Sequence, residues 1–211
     1  MPSTTFENLA EEKRTLILTT ALDEFAANNF QNASITNLVR TLGIAKGSIY
    51  QYFSNKLDLY LYLIELAESV RKEYLSRIKI GPEDHFFKWL REVQLAQVVF
   101  EMENPRYGRL LKNAAQEVNT QGIGDIANNL RQNELTFFRK ALKKQRKKGK
   151  IRKDTSVELQ AHVLKEVNDS LSGFFSGAVV NNSKRKKAPS RKAVKASLKE
   201  LAILLERGLS D

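Results

Sequence analysis

The 211-residue sequence contains no cysteine, two histidines and four prolines. Without cysteine there is no disulfide framework and no chemistry that depends on a thiolate. No apolar run approaches the ~18 residues that a membrane-spanning helix requires. The polar first residues also lack the apolar segment of a signal peptide. We therefore expect a cytoplasmic protein, which at this length can bury a sizeable core.

The sequence also has few residues suited to catalysis or metal binding. His85 and His162 have no cysteine or acidic cluster near them in sequence, so they predict no metal site. Neither a G-x-S-x-G motif nor a phosphate-binding loop is present. We expect no cofactor and no enzymatic activity.

Positive charge dominates but is unevenly spread. The 35 Lys and Arg against 24 Asp and Glu give a net charge of +11, which suggests an anionic partner such as nucleic acid. Residues 139–153 hold 10 basic residues and residues 184–199 hold 8, with no acidic residue in either segment. Removing these 18 from the 35 leaves 17 basic against 24 acidic residues, or −7 for the rest of the chain. The role of the two basic segments stays open.

Apolar spacing predicts an all-α protein. Strand-like alternation is scarce, and apolar residues recur three and four positions apart throughout. Short helices are expected up to residue 53, followed by a long helix from 56 to about 78. We predict an N-terminal domain at 1–54 and a helical regulatory and dimerisation domain at 55–211.

Residues 43–56, GIAKGSIYQYFSNK, combine two tyrosines and two glycines with only three aliphatic residues. Two short helices joined by the tight turn LGIA have the proportions of a helix-turn-helix, whose second helix enters the DNA major groove. Ile49 and Phe53 can pack inward, which would turn the polar face of the second helix toward a duplex. The alternative is that Tyr50 and Tyr52 merely cover neighbouring helices.

The polar residues of this face suit contacts with DNA. Lys46 and Gln51 can hydrogen-bond base edges, and the Tyr50 ring can contact a thymine methyl group. Gly47 leaves room for a phosphate to approach the backbone. Phosphate contacts, as expected of Tyr52 and Lys56, position a protein without carrying sequence information.

From about residue 14 to 64 the chain resembles the DNA-binding domain of the TetR (tetracycline repressor-like) family. The matching run is ILTTALDEFAANNFQNASITNLVRTLGIAKGSIYQYFSNKLDLYLYLI. It contains the A-x-x-x-F first helix, the small-polar start of the second helix, the GIAKGSIYQYF segment and the lysine that opens the fourth helix. The resemblance implies a bacterial homodimeric repressor in which a small molecule bound to the body changes the spacing of two DNA-reading heads.

Carried over by position, the resemblance implies a set of DNA-contacting residues on the second, third and fourth helices of that domain. They are Ser34, Thr36, Asn37, Lys46, Gly47, Ser48, Tyr50, Gln51, Tyr52 and Lys56. Two positions depart from the family pattern. Asn29 replaces the usual Gly, whose backbone conformation Asn can adopt, and Ala45 replaces a Ser or Thr that often caps the recognition helix. We expect that helix end to be less well fixed.

Aromatic residues beyond the helix-turn-helix could line a ligand pocket between helices, and ordinary core packing is the alternative for each. They are Phe86, Trp89, Phe100, Tyr107, Phe137 and Phe138. In the family the last two helices form a four-helix dimer interface, and packing within one protomer is the alternative. The residues predicted for that interface are Leu164, Val167, Leu171, Phe174, Leu198, Leu201 and Leu205.

These observations predict a ligand-responsive regulator whose partners are a double-stranded DNA operator, a small-molecule effector and a second copy of the chain. A transcriptional activator and a non-specific basic DNA-binding protein are the alternatives. The run KRKKAPSRK has the composition of a nuclear localisation signal, and it equally fits a solvated loop.

Overall fold

The structure, a computed structural model, describes residues 2–175 and 189–210. All regular structure in these residues is α-helical, which confirms the all-α prediction. None of the described helices combines the length and apolar character needed to cross a membrane. The helices are α1 (Thr4–Glu7), α2 (Glu11–Ala27), α3 (Ile35–Leu42), α4 (Lys46–Tyr52), α5 (Lys56–Ser76), α6 (Phe86–Glu103), α7 (Pro105–Gln116), α8 (Gly124–Lys147), α9 (Val157–Phe175) and α10 (Arg191–Leu209).

The chain divides into two compact units. The N-terminal unit combines Met1–Val70 with Asn104–Leu130, and the C-terminal unit combines Arg71–Glu103 with Arg131–Asp211. This division differs from the boundary that we predicted at residue 54. The N-terminal unit is larger than predicted because α7, far along the chain, packs against α2.

Local signals in the sequence set the ends of the short helices in the N-terminal unit. Ser34 caps α3 by accepting a hydrogen bond from the Asn37 amide at 3.2 Å. Gly43 ends α3 in the left-handed conformation with a φ of 66°. The predicted inward packing of Ile49 and Phe53 is confirmed, since each is 2% exposed.

Helix α7 is attached to α2 by polar contacts as well as by packing. Pro105 occupies the start of α7, where its missing N–H costs no hydrogen bond. The Asn113 side chain donates a hydrogen bond to the Ala26 carbonyl at 3.4 Å. Arg106 forms an exposed ion pair with Asp23 at 2.5 Å. Residues 104–116 are therefore a structural part of the N-terminal unit.

The C-terminal unit contains two separate hydrophobic clusters. The first joins α6, α8 and α9 around Leu90, Leu142 and Leu164, all fully buried. The second joins α6, α9 and α10 around Val98, Leu171 and Leu198. Helices α6 and α9 therefore contribute more than one residue to each cluster, whereas α8 contributes mainly to the first and α10 mainly to the second.

The structure corrects the predicted dimer interface. Leu164 and Leu198 are fully buried within the protomer, and Leu171 is 7% exposed, so the prediction that they face a partner is wrong. Leu201 and Leu205 are partly buried against the two clusters. Phe174, in contrast, is 49% exposed. Val167 is half-buried.

The predicted aromatic residues do not form one group. Phe86, Trp89 and Phe138 belong to the first cluster of the C-terminal unit, and Phe137 lies at its surface with its ring 5.3 Å from that of Trp89. Phe100 is fully buried, and its ring lies 5.7 Å from that of Tyr74. Tyr107 belongs to the N-terminal unit. A pocket role for these residues stays a prediction.

The two basic segments differ in how much of them the structure describes. Residues 139–153 are described, and several of their cations meet oxygen atoms: Arg139 pairs with Glu158 at 3.7 Å, and Lys148 donates to the Glu83 carbonyl at 2.8 Å. Residues 184–188, which include four of the basic residues of 184–199, lie outside the described residues.

Candidate nucleic-acid interface

Helices α3 and α4 form the predicted helix-turn-helix. The turn after Gly43 is closed by the Ile44 amide, which donates to the Val39 carbonyl at 3.1 Å. Ala45 is the N-cap of α4 and makes no side-chain hydrogen bond, as expected from a residue without an acceptor. Helix α4 is therefore held by packing and backbone contacts rather than by a side-chain cap.

One face of α4 is exposed and polar. Lys46, Gly47 and Gln51 are exposed, and Ser48 is half-buried. The Tyr50 side chain is 45% exposed, so its ring is open to a partner. The face that the sequence predicts to meet DNA is therefore accessible.

Gly47 has no packing role within the protomer. A Cβ atom built at this position would meet no other atom of the described residues within 4 Å. Helical backbone geometry at this position also does not demand glycine. The absence of a side chain is thus consistent with close approach by something outside the protomer.

The structure corrects the predicted orientation of Tyr52. This side chain is 5% exposed, and its ring lies 5.9 Å from that of the fully buried Phe6. The prediction that it points outward toward DNA is wrong. Its ring instead fixes α4 on the core, because α1 covers it.

Helix α1 is a component of the site that sequence reasoning missed. The Ser3 hydroxyl donates to the Gln51 carbonyl at 2.6 Å, and the Ser3 amide donates to the Tyr52 carbonyl at 2.9 Å. These bonds satisfy carbonyls at the end of α4, which a helix terminus leaves unpaired. The isolated aromatic Phe6 in a polar N-terminal segment was the available signal.

On α3, the exposed residues Thr36 and Asn37 remain accessible to a partner. Ser34 is half-buried and is occupied as the cap of α3, and its own amide donates to Glu24 Oε1 at 2.8 Å.

Arg40, the one cation of α3, is a second residue that the sequence analysis did not single out. It is exposed and donates to Asn37 Oδ1 at 3.2 Å, so it can serve as a second cation near the predicted contacts.

Lys56 is engaged within the protomer. Its Nζ lies 4.7 Å from the centre of the Phe30 ring and donates to the Gln31 carbonyl at 3.2 Å. Burial lowers the pKa of Lys56, while the carboxylates of Glu24 and Glu117 act in the opposite direction. Its position links the start of α5 to the turn between α2 and α3.

Glu117, directly after α7, binds the same turn from another side. Its carboxylate accepts a hydrogen bond from the Phe30 amide at 2.6 Å and another from the Tyr60 hydroxyl at 2.8 Å. Glu117 is 7% exposed, and Tyr60 is fully buried. Burial, with a smaller contribution from the bond to Glu117, raises the pKa of Tyr60 far above its ordinary value. This carboxylate joins α7, α5 and the entry to the helix-turn-helix.

Within residues 2–175 and 189–210, no group of three or more His, Cys, Asp or Glu side chains lies close enough together to hold a metal ion. The features that the structure brings together are instead the polar face of α4, the exposed residues of α3 and the buried contacts that hold both helices.

Comparison with known proteins points to the same region. Residues 17–63 match the family described as bacterial regulatory proteins, tetR family. A probable acrEF/envCD operon repressor of Escherichia coli (strain K12) is 25% identical over 103 residues, which cover 49% of this chain and 47% of that protein. The HTH-type transcriptional regulator AcrR of Shigella flexneri is 35% identical over 60 residues, 28% of each chain. This chain thus spans about half the length, or less, of the curated relatives that it matches.

The similarity in fold extends further than the similarity in sequence. A TetR family transcriptional regulator from Chloroflexus aurantiacus J-10-FL is 27% identical, with a TM-score of 0.86 over 100% of this chain and 99% of that one. The ketosteroid transcriptional regulator KstR2 of Mycobacterium tuberculosis shares the fold at a TM-score of 0.65 and 13% identity, covering 97% of each chain.

Proposed function

Because this chain belongs to the TetR family of bacterial regulatory proteins, we propose that it is a ligand-responsive repressor that binds a palindromic DNA operator as a homodimer. The exposed polar face of α4 carries this proposal. Lys46, Tyr50 and Gln51 are available to a partner there, while the buried Ile49 and Tyr52 hold the helix in place.

The residues of this face have different tasks on DNA. Lys46 and Gln51 reach base edges, and Tyr50 meets a thymine methyl group. Gly47 allows a phosphate to approach the backbone, since no protomer atom occupies that space. Thr36, Asn37 and Lys56 contact phosphates and set the register without reading sequence.

Homodimerisation involves apolar side chains that the protomer leaves exposed. On α9 these are Leu159, Val163 and Phe174, and on α10 they are Ile203 and Leu204. Leu159 and Val163 stand one helical turn apart on the same face. Two such faces can form a four-helix interface with a second copy.

The test is selection of binding sites from random double-stranded DNA with the purified full chain. We expect a palindrome whose half-sites are ~34–36 Å apart or a multiple of that spacing, because each protomer has one recognition helix. Tyr50→Ala is the matched variant and should lose specific binding far more than non-specific binding. Recovery of no preferred site, or monomers at micromolar concentration with and without DNA, would contradict the proposal.

Regulation by a ligand follows from thermodynamic linkage. A ligand releases DNA only if it prefers the conformation in which the two heads are misplaced. The ligand must then weaken operator binding by the same factor by which the operator weakens ligand binding.

A further inference from the structure

A polar layer lies between the two hydrophobic clusters of the C-terminal unit. On α6, Gln94 shares a face with Leu90 and Val98, four residues away on either side. Leu90 belongs to the first cluster and Val98 to the second, and both are fully buried. Gln94 is also fully buried, so an amide group interrupts an otherwise apolar face.

Helix α9, which packs against α6, has the same arrangement at the same level. Asn168 shares a face with Leu164 of the first cluster and Leu171 of the second. Asn168 is 7% exposed. Leu90 and Leu164 belong to the first cluster, and Val98 and Leu171 belong to the second. Gln94 and Asn168 therefore lie at the same level along the two packed helices, between the clusters.

These two amides have unused hydrogen-bonding capacity. Within the described part of the chain, neither Gln94 Nε2 nor Gln94 Oε1 has a hydrogen-bond partner, and the same holds for Asn168 Oδ1. A buried polar atom without a partner costs free energy comparable to its desolvation penalty, so such atoms are uncommon in folded proteins. Among the described residues, the donor Gln94 Nε2 and the acceptors Gln94 Oε1 and Asn168 Oδ1 are therefore free to bind a group with complementary hydrogen-bonding atoms.

The charged residues next to Asn168 on α9, and those that interact with them, are already paired. Arg71 contacts Glu134 at 2.5 Å, and Lys165 contacts Asp169 at 2.6 Å. Lys165 lies one turn before Asn168 on α9. Lys165 also contacts the exposed Glu166 at 3.2 Å. Each of the two cations thus already has a carboxylate partner, so neither is left to compensate an anionic ligand, and burying an uncompensated charge is costly.

We infer that the polar layer binds an uncharged effector through a primary carboxamide or a group of equivalent hydrogen-bonding pattern. Its carbonyl oxygen accepts from Gln94 Nε2, and its two N–H groups donate to Gln94 Oε1 and Asn168 Oδ1. The apolar part of such a molecule packs on the clusters that flank the layer. This inference rests on the proposed function, because it names the chemical class of the ligand that regulates DNA binding.

The experiment compares three probes with the same alkyl chain and different head groups: hexanamide, hexanoate and hexylamine. Thermal unfolding of the full chain is measured with each probe. Gln94→Leu removes the amide without removing the side chain's volume. Gln97→Leu is the matched control, since Gln97 lies on the same helix and already donates to Glu101.

Hexanamide should raise the unfolding midpoint of the wild type by about 3 °C at roughly ten times its Kd. The shift should persist in Gln97→Leu and vanish in Gln94→Leu. Without probe, Gln94→Leu should unfold at the same temperature as the wild type or higher, because an unpaired buried amide has been removed. Hexanoate and hexylamine should produce no comparable shift.

A second measurement follows the affinity for the selected operator. Hexanamide should weaken operator binding of the wild type at least about fivefold, and it should leave binding by Gln94→Leu unchanged. Equal shifts with an ionic probe, a hexanamide shift that persists in Gln94→Leu, or no shift at all would overturn the inference. So would a shift that leaves operator affinity unaltered.

The two measurements separate the inference from the function that it deepens. If an operator is recovered but hexanamide has no effect, the inference is wrong and the repressor function stands. If no operator is recovered, the repressor function is wrong, and the thermal measurement alone still decides whether the layer binds a neutral amide.

Discussion

At the scale of single residues, Gly47 is a glycine that the fold does not require but that a DNA partner would. Glycine inside a helix is less favourable than alanine, and no protomer atom stands where its Cβ would lie. Gly43, in contrast, is needed by the fold itself, because its φ of 66° lies in the left-handed region, which favours glycine. The fold therefore accounts for the glycine at position 43, whereas we attribute the glycine at position 47 to close approach by a partner.

We expect Gly47→Ala to raise the free energy of unfolding by about 0.5–1 kcal/mol and to weaken operator binding, since the methyl group enters the space left for a phosphate. Gly43→Ala is the control and should lower stability by about 1–2 kcal/mol. Chemical denaturation and a DNA-binding titration measure the two effects. Unchanged operator affinity in Gly47→Ala would remove the reason that we give for this glycine.

Tyr60 provides a pH-dependent test at the same scale. The unfolded chain loses the Tyr60 proton near pH ~10, whereas the folded chain keeps it, because burial raises the pKa of Tyr60. Stability contributed by the neutral phenol is thus complete below pH ~10 and falls by about 1.4 kcal/mol per pH unit above it. Tyr60→Phe should remove this loss, which amounts to about 1.4 kcal/mol in total between pH 9 and 11, from the denaturation curves. Identical slopes would contradict the assignment.

At the scale of secondary-structure elements, α7 supports the reading head from a distance in sequence. Its last turn delivers Glu117, whose carboxylate holds the Phe30 amide before α3 and the Tyr60 hydroxyl on α5. Helix α1 supports the other end through Ser3, whose hydroxyl and amide bind carbonyls at the end of α4. Both elements keep α3 and α4 in place while their polar face stays free.

Replacing Glu117 with Gln should lower the free energy of unfolding by about 1.5–3 kcal/mol. A glutamine keeps one acceptor oxygen, so it can satisfy only one of the two donors, and its NH₂ group faces the other. The control is Glu73→Gln, which removes only an exposed ion pair with Arg77 and should change stability by less than about 1 kcal/mol. Equal effects of the two changes in urea denaturation would show that Glu117 has no special supporting role.

At the scale of the whole molecule, the basic segment 139–153 and the exposed apolar side chains of α9 and α10 belong to the C-terminal unit, whereas the predicted DNA contacts belong to the N-terminal unit. Each phosphate contact contributes ~0.9 to the slope of log affinity against log salt. The slope therefore distinguishes a contacting lysine from one that only contributes to the long-range field.

For a dimer, Lys56→Gln should lower that slope by about 1.8, twice the contribution of one phosphate contact. Lys140→Gln combined with Lys143→Gln should change it less, although two exposed cations per protomer are lost. Operator titrations at several salt concentrations give both values. If the double change flattens the salt dependence and Lys56→Gln does not, the basic segment rather than the helix-turn-helix region is the DNA contact.

The exposed apolar surface gives the second prediction at this scale. Leu204 is 67% exposed on α10, so Leu204→Glu should leave protomer stability within about 0.5 kcal/mol. It should nevertheless convert dimers to monomers and weaken binding to the full palindrome, because the charge would be buried between copies. Leu16→Glu, on the 56% exposed Leu16 of α2, is the control. Sedimentation that shows dimers of both variants would place the interface elsewhere.

The helical class, the helix-turn-helix and the exposed face of α4 could all be predicted from the amino-acid sequence. Those features depend on residues near one another in the chain: the Ser34 cap, the Gly43 stop and the spacing of Ile49 and Phe53. Contacts between distant parts of the chain account for the features that could not be predicted: Tyr52 is buried against Phe6, residues 104–130 join the N-terminal unit, and Leu164 and Leu198 are core rather than interface. Another such contact joins Glu117 to an amide 87 positions away. The spacing of apolar residues predicts that one face of a helix is covered. Which surface covers that face depends on how helices from distant parts of the chain pack.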